Sequence, residues 1–246
     1  MSTASRLAAR AVRAMMRRDL ARSFRQVVWV GEGPALPADR PVVAYANHHA
    51  YLDSYLVHHL THEVLGRPFV VWMEKWDEVP LFGPVGALPF PSGGASPEAS
   101  GEAARRRART VRETARRMSA GPAMLLLYPE GTMGPPDAGL APFKTDLARL
   151  ARVLPERALW WPLAVRVTDW GHAHPTALLT GGSPHEAPDG SERQRLEAAL
   201  ARLHAARPSD LEAGRARVLL RGARGPDERW DLSRLAPLFR RLTPGL

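Results

Sequence analysis

The feature that most constrains the fold is a recurring alternation. Short apolar runs, many of them β-branched, are separated by longer stretches with helical spacing. Residues 27–30, 41–46, 69–73, 123–128, 159–167 and 177–180 read as strands bounded by Gly, Pro or polar residues. Residues 51–63, 97–118, 145–153 and 191–205 read as helices, and Ser5 to Arg25 as one more ahead of the first strand. Strands alternating with helices predict an α/β fold: a mixed, largely parallel sheet covered by helices on both faces. A length of 246 residues suits one such domain. The expected division is a basic amphipathic helix over residues 1–26 and a single domain over 27–246. Residues 91–100 form a Pro/Gly/Ser loop, and the tail from 208 is less legible, with a last helix expected at 231–241.

Two helices carry most of the charge. In the first, Leu7, Ala11, Met15 or Met16, Leu20 and Phe24 recur at helical spacing, and seven arginines from Arg6 to Arg25 fill the remainder. That is the composition of an interfacial membrane helix, so an anionic membrane surface is the expected partner. In the helix over 97–118, Ala104, Ala108, Val111, Ala115 and Met118 should face inward. Arg105, Arg106, Arg107, Arg109, Arg112, Arg116 and Arg117 cluster on it, able to meet an anionic partner such as a membrane, or only solvent. No nucleic-acid-binding pattern accompanies them, so no nucleic-acid partner is expected. No apolar run approaches the roughly 20 residues of a spanning helix, and the N-terminal stretch lacks a signal-peptide pattern. The expected location is cytoplasmic, peripheral on the inner face of the cell membrane. The chain has no cysteine, which excludes disulfides, thiolate metal sites and a cysteine nucleophile.

The chemistry starts at the end of the strand 41–46, which opens onto Asn47-His48-His49. Strand ends are where α/β sheets place ligands. Asp53 follows His48 after four residues. On one continuous helix that spacing separates the two by about 140°. With His48 in the loop and Asp53 in the first turn of the helix, the side chains can meet. The carboxylate then holds one imidazole nitrogen and leaves the other free to take a proton. His49 has Ser54 at the same offset, so the spacing selects His48. Downstream, the strand 123–128 runs into Pro129-Glu130-Gly131-Thr132, where Gly131 permits a tight turn, and Glu130 and Thr132 are expected to point into the crevice of His48. His58 and His62 stand at i and i+4, but no carboxylate completes a zinc-site pattern, so they read as surface or packing histidines and no metal is expected.

Taken in order, Asn47-His48 through Asp53, Lys75 through Gly83, Glu130-Gly131-Thr132, Phe143-Lys144 and Trp161-Pro162-Leu163-Ala164 resemble the conserved blocks of the lysophospholipid (glycerolipid) acyltransferase family, over residues 30–170 or so. The resemblance implies transfer of a fatty acyl group from acyl-CoA or acyl-carrier protein to a lipid hydroxyl, with no metal or redox cofactor. It implies His48 and Asp53 as catalytic residues, and Lys75, Glu130, Gly131, Thr132 and Lys144 as substrate-binding. The chain departs from the family in three places. Met133 follows Glu-Gly-Thr where an arginine is usual, no basic residue lies near Ser92, and Asp146 stands where the family has glycine. The two absent guanidiniums would bind an acceptor phosphate, so lysophosphatidic acid and a lipid without phosphate both stay open as acceptor. A non-catalytic lipid-binding relative and a thioester hydrolase are the alternatives.

Overall fold

A computed structural model describes residues 3–94, 96–225, 228 and 241; the helix expected over 231–241 lies outside the described residues except for Arg241. Eight strands form one sheet: β1 (Gln26–Val30), β2 (Val42–Ala46), β3 (Phe69–Met73), β4 (Ala87–Pro89), β5 (Met124–Leu127), β6 (Leu159–Thr168), β7 (Thr176–Gly181) and β8 (Ala216–Arg221). Their order is β4-β3-β5-β2-β6-β7-β1-β8. Pairing is parallel except for β6 with β7 and β1 with β8. The sheet is thus mixed and largely parallel. Its helices are α1 (Thr3–Ser23), α2 (Asp53–His59), α3 (Pro97–Ala120), α4 (Leu147–Ala151), α5 (Glu192–Ala205) and α6 (Ser209–Glu212).

Strand alternation splits the core in two. Val43 and Tyr45 of β2 pack with Met118 of α3, Leu147 of α4 and Leu200 of α5. Val42, Ala44 and Ala46 pack on the other face with Leu20 of α1, Phe24 just after it, Leu56 of α2 and Leu60 just after that helix. Trp160 and Trp161 are both buried, one on each face, and Trp161 stacks on Trp29 with centroids 6.0 Å apart. These indoles serve the core.

Two helix faces differ from the sequence expectation. In α3 the buried positions are Ala103, Thr110, Thr114 and Met118, while Ala104 and Ala108 are exposed. The threonines go inside because their hydroxyls are satisfied: Thr110 Oγ1 donates to the Pro89 carbonyl, and Thr114 Oγ1 donates to Thr110 O while accepting from Trp72 Nε1. In α1 the inward stripe is Ala9, Met16, Leu20 and then Phe24, against α2 and the turn Pro80–Val85. Of the apolar residues at helical spacing, Leu7 and Met15 are exposed, and Met16 rather than Met15 turns inward. No described helix is long and apolar enough to cross a membrane.

Helix α2 continues into one wide π-type turn, Leu60–Val64, where Leu65 N reaches back to Leu60 O. Here His58 and His59 are buried between α1 and α2. His58 sits edge-on to Phe69 and beside His62. Burial first, then His62, Arg13 and His59, push its pKa from 6.5 down to about 4. Burial also lowers His59, opposed by the Leu219 carbonyl and Glu63, with Arg17 adding to the lowering. Both imidazoles are therefore neutral when folded, and the unfolded chain binds protons more readily. The resulting stability is present above pH 6.5 and is lost as pH falls toward 4, on the order of 3 kcal/mol from His58. Thermal melts of His58→Gln and the parent chain should converge as pH drops from 7 to 4.5; parallel curves would refute this account.

Candidate active site

The parallel strands β2, β5 and β6 end side by side, and their C-terminal ends carry the site. Asn47 comes first. It is fully buried and extends the ladder with its side chain: Nδ2 donates to Val165 O and Oδ1 accepts from Val165 N, both at 2.8 Å. Nδ2 also lies 3.2 Å from His49 Nδ1. This clamp fixes where the chain leaves the sheet, and so where His48 begins.

His48 lies in the loop and Asp53 opens α2. His48 Nδ1 is 3.1 Å from Asp53 Oδ2. The same oxygen accepts from His49 N and Ala50 N, each at 2.8 Å. Asp53 is 1% exposed, yet three hydrogen-bond partners converge on its Oδ2, which satisfies the buried side chain and holds it in place. His48 Nε2 has no partner among the described residues. The ring stacks on Tyr128, with centroids 4.0 Å apart and planes at 13°. Tyr128 OH shares a hydrogen bond of 2.9 Å with Ser54 Oγ. Burial, then the Asp53 charge, raises the Tyr128 pKa well above its ordinary value, so it is a neutral platform rather than an acid.

Glu130 corrects an expectation. Its carboxylate does not open into the crevice; it is wholly buried. Oε1 accepts from His48 N at 3.2 Å and Oε2 from Ala141 N at 2.7 Å. Gly134 N closes the other side, donating to His48 O at 2.9 Å. Glu130 and Gly134 thus grip the His48 backbone from above and below.

The exposed turn beside this grip carries Gly131, Thr132 and Met133. Gly131 has φ of +69°, a left-handed conformation that favours glycine, and packs against the Lys144 side chain. Lys144 Nζ lies 3.3 Å from Thr132 Oγ1, and the Lys144 and Thr145 amides both donate to Pro129 O. Asp146 is the N-cap of α4, accepting from Arg149 N at 2.8 Å. Lys75 is set apart: it is exposed, its ammonium 3.7 Å from Glu78, in a turn whose Trp76 covers Gly83. Among the described residues it has no hydrogen bond or ion pair to His48, Glu130 or Lys144.

Asn47, Tyr128 and Gly134 escape a search for reactive side chains because each acts through backbone or ring packing. A polar residue directly at a strand end was the available signal for Asn47. Among the described residues no three histidines and carboxylates gather as metal ligands.

The arrangement offers an imidazole held at Nδ1 by a buried carboxylate, an open Nε2 and a polar turn with an exposed cation. The family model described as Acyltransferase matches residues 28–166, more than half of the chain. No curated protein matches it. Among solved structures, a 1-acyl-sn-glycerophosphate acyltransferase from Thermotoga maritima is similar, with 19% identity over 81% of this chain and 78% of that one and a TM-score of 0.49.

Proposed function

Because this chain belongs to the acyltransferase family, we propose that it moves a fatty acyl group from acyl-CoA or acyl-carrier protein to a hydroxyl of a lipid acceptor. The observation that carries the reading is the contact of His48 Nδ1 with Asp53 Oδ2, which leaves Nε2 unpaired. Asp53 holds the proton on Nδ1. Nε2 then takes the proton of the acceptor hydroxyl as its oxygen attacks the thioester carbonyl. The tetrahedral intermediate collapses, its carbon–sulfur bond breaks, and the thiolate recovers the proton from Nε2. The Thr132–Lys144 pair gives the acceptor a polar handle, and exposed Met133 gives it an apolar one. No metal takes part.

The test supplies labelled acyl-CoA or acyl-carrier protein with vesicles of total lipid extract. A labelled acylated lipid is the expected product; label released only as free fatty acid would replace transferase by hydrolase, and no release of thiol would leave a lipid-binding protein.

The protein works, on this reading, as a peripheral protein at the anionic inner surface of the cell membrane. Support comes from the outer face of α1, where Leu7 is 60% and Met15 36% exposed on either side of the exposed Arg18 and Arg22, and from exposed Leu81 in the turn that α1 packs against. Since α1 is also part of the core, deleting it would confuse binding with folding. Leu7→Glu with Met15→Glu changes only the outward face. Sedimentation with anionic vesicles should fall by about tenfold or more, with an unchanged melting temperature; undiminished sedimentation would refute the contact.

A further inference from the structure

We propose that the cleft between α3 and β4 binds the phosphorylated nucleoside of an acyl-CoA donor, with Arg109 as its principal phosphate ligand; this rests on the transfer reading above. The cleft has a volume of about 300 Å³ and is lined by Leu88, Pro89, Arg106, Arg109, Thr110 and Glu113. That is the lower end of the range for small-ligand sites. Its floor is aliphatic, which suits the flat face of a purine, and a guanidinium at the wall can stack on a base or fork onto a phosphate.

The arginines of α3 divide into two sets. Arg106 is committed to Asp77 through two bonds of 2.7 and 2.8 Å. Arg107 holds the Pro91 carbonyl, and Arg116 and Arg117 neutralise Glu113. The Glu113 carboxylate in the cleft is therefore already matched by two cations. Arg105, Arg109 and Arg112 are exposed and have no hydrogen bond or ion pair among the described residues. With Arg116 they fall within an arc of about 60° along a stretch of about 16 Å. Three unpaired guanidiniums in one line repel each other unless an anion lies over them, and several linked phosphates fit such a line better than a single charge does.

Position connects the cleft to the site. Through the parallel register, Ala44, Leu126, Val71 and Ala87 stand level. Pro89 is then level with Ala46, two residues short of His48. Strand β4 lies three strand spacings from β2, about 14 Å. An extended pantetheine arm is longer than that span, so a nucleotide in the cleft can deliver its thioester to the crevice.

Equilibrium titration of coenzyme A, adenosine 3′,5′-bisphosphate and pantetheine against the full chain tests this without turnover. Arg109→Ala should raise the Kd for the first two about tenfold, and Arg105→Ala with Arg109→Ala further. Pantetheine alone should bind weakly and equally to all variants. Arg152→Ala, an exposed arginine on α4's C-terminal side, controls for net charge and should leave every Kd unchanged. In turnover, Arg109→Ala should raise the KM for acyl-CoA with kcat preserved. Affinity indifferent to Arg109, or lowered equally by Arg152→Ala, would overturn the site. Arg109-dependent nucleotide binding without acyl transfer would instead remove the transfer reading and leave the cleft standing.

Discussion

His48→Ala is expected to lower acyl transfer by about 10²- to 10⁴-fold, the usual contribution of a positioned general base. The loss should fall on kcat, because the imidazole acts on the hydroxyl only as the bond forms. The fold should survive. The ring is about one-fifth exposed and its main packing partner, Tyr128, keeps its bond to Ser54. Asp53 keeps two amide donors when the imidazole is gone. Asp53→Ala should behave differently. It frees the His48 tautomer and also leaves the His49 and Ala50 amides without their acceptor, so activity and melting temperature should fall together. An alanine at 48 with full transfer in the vesicle assay would sink the mechanism.

Glu130→Ala is expected to damage the enzyme almost as much, by another route. Two backbone amides, of His48 and Ala141, would lose their acceptor in a dry interior. Each such loss costs about 1–3 kcal/mol. The His48 loop would also lose one of its two grips, and a shift near 1 Å at a reacting group can cost about 10²-fold in rate. The expected result is a melting temperature lower by several degrees and a lower kcat with little change in acceptor KM. Glu130→Gln should be intermediate, because its amide group can accept through only one atom. If instead acceptor KM rose while stability stayed unchanged, Glu130 would be a substrate ligand, as its place beside Gly131 and Thr132 first suggested.

Most of the sheet was legible because its central strands are short apolar runs with sharp ends. Phe69–Met73 coincides with the strand, and Val42–Ala46 differs by one residue. What escaped was charged, polar or very short. Strand β8 carries Arg217 and Arg221 at either end of Val218-Leu219-Leu220 and lies at an edge, where charge protects against unwanted pairing. Strand β4 has three residues and ends in proline. The phase of α3 was misread because Thr110 and Thr114 look like surface residues until their hydroxyl partners are known. At the site, spacing sufficed to pair His48 with Asp53, since a loop followed by a helix start permits few geometries. Spacing could not show that Glu130 turns inward, because its partners are amides on residues 48 and 141, remote in the sequence.

The strand β1 carries a further consequence. It follows α1 directly at the start of the described chain, yet its neighbours in the sheet are β7 and β8, at residues 176–181 and 216–221. During synthesis the central strands can assemble while β1 has nothing to pair with. Its Val27, Val28 and Trp29 stay without a strand partner until β7 leaves the ribosome. Completion of the sheet therefore comes late and depends on long-range closure, which is slow and exposes sticky surface to other chains. A nascent chain halted before residue 176 should attract chaperones through its own beginning.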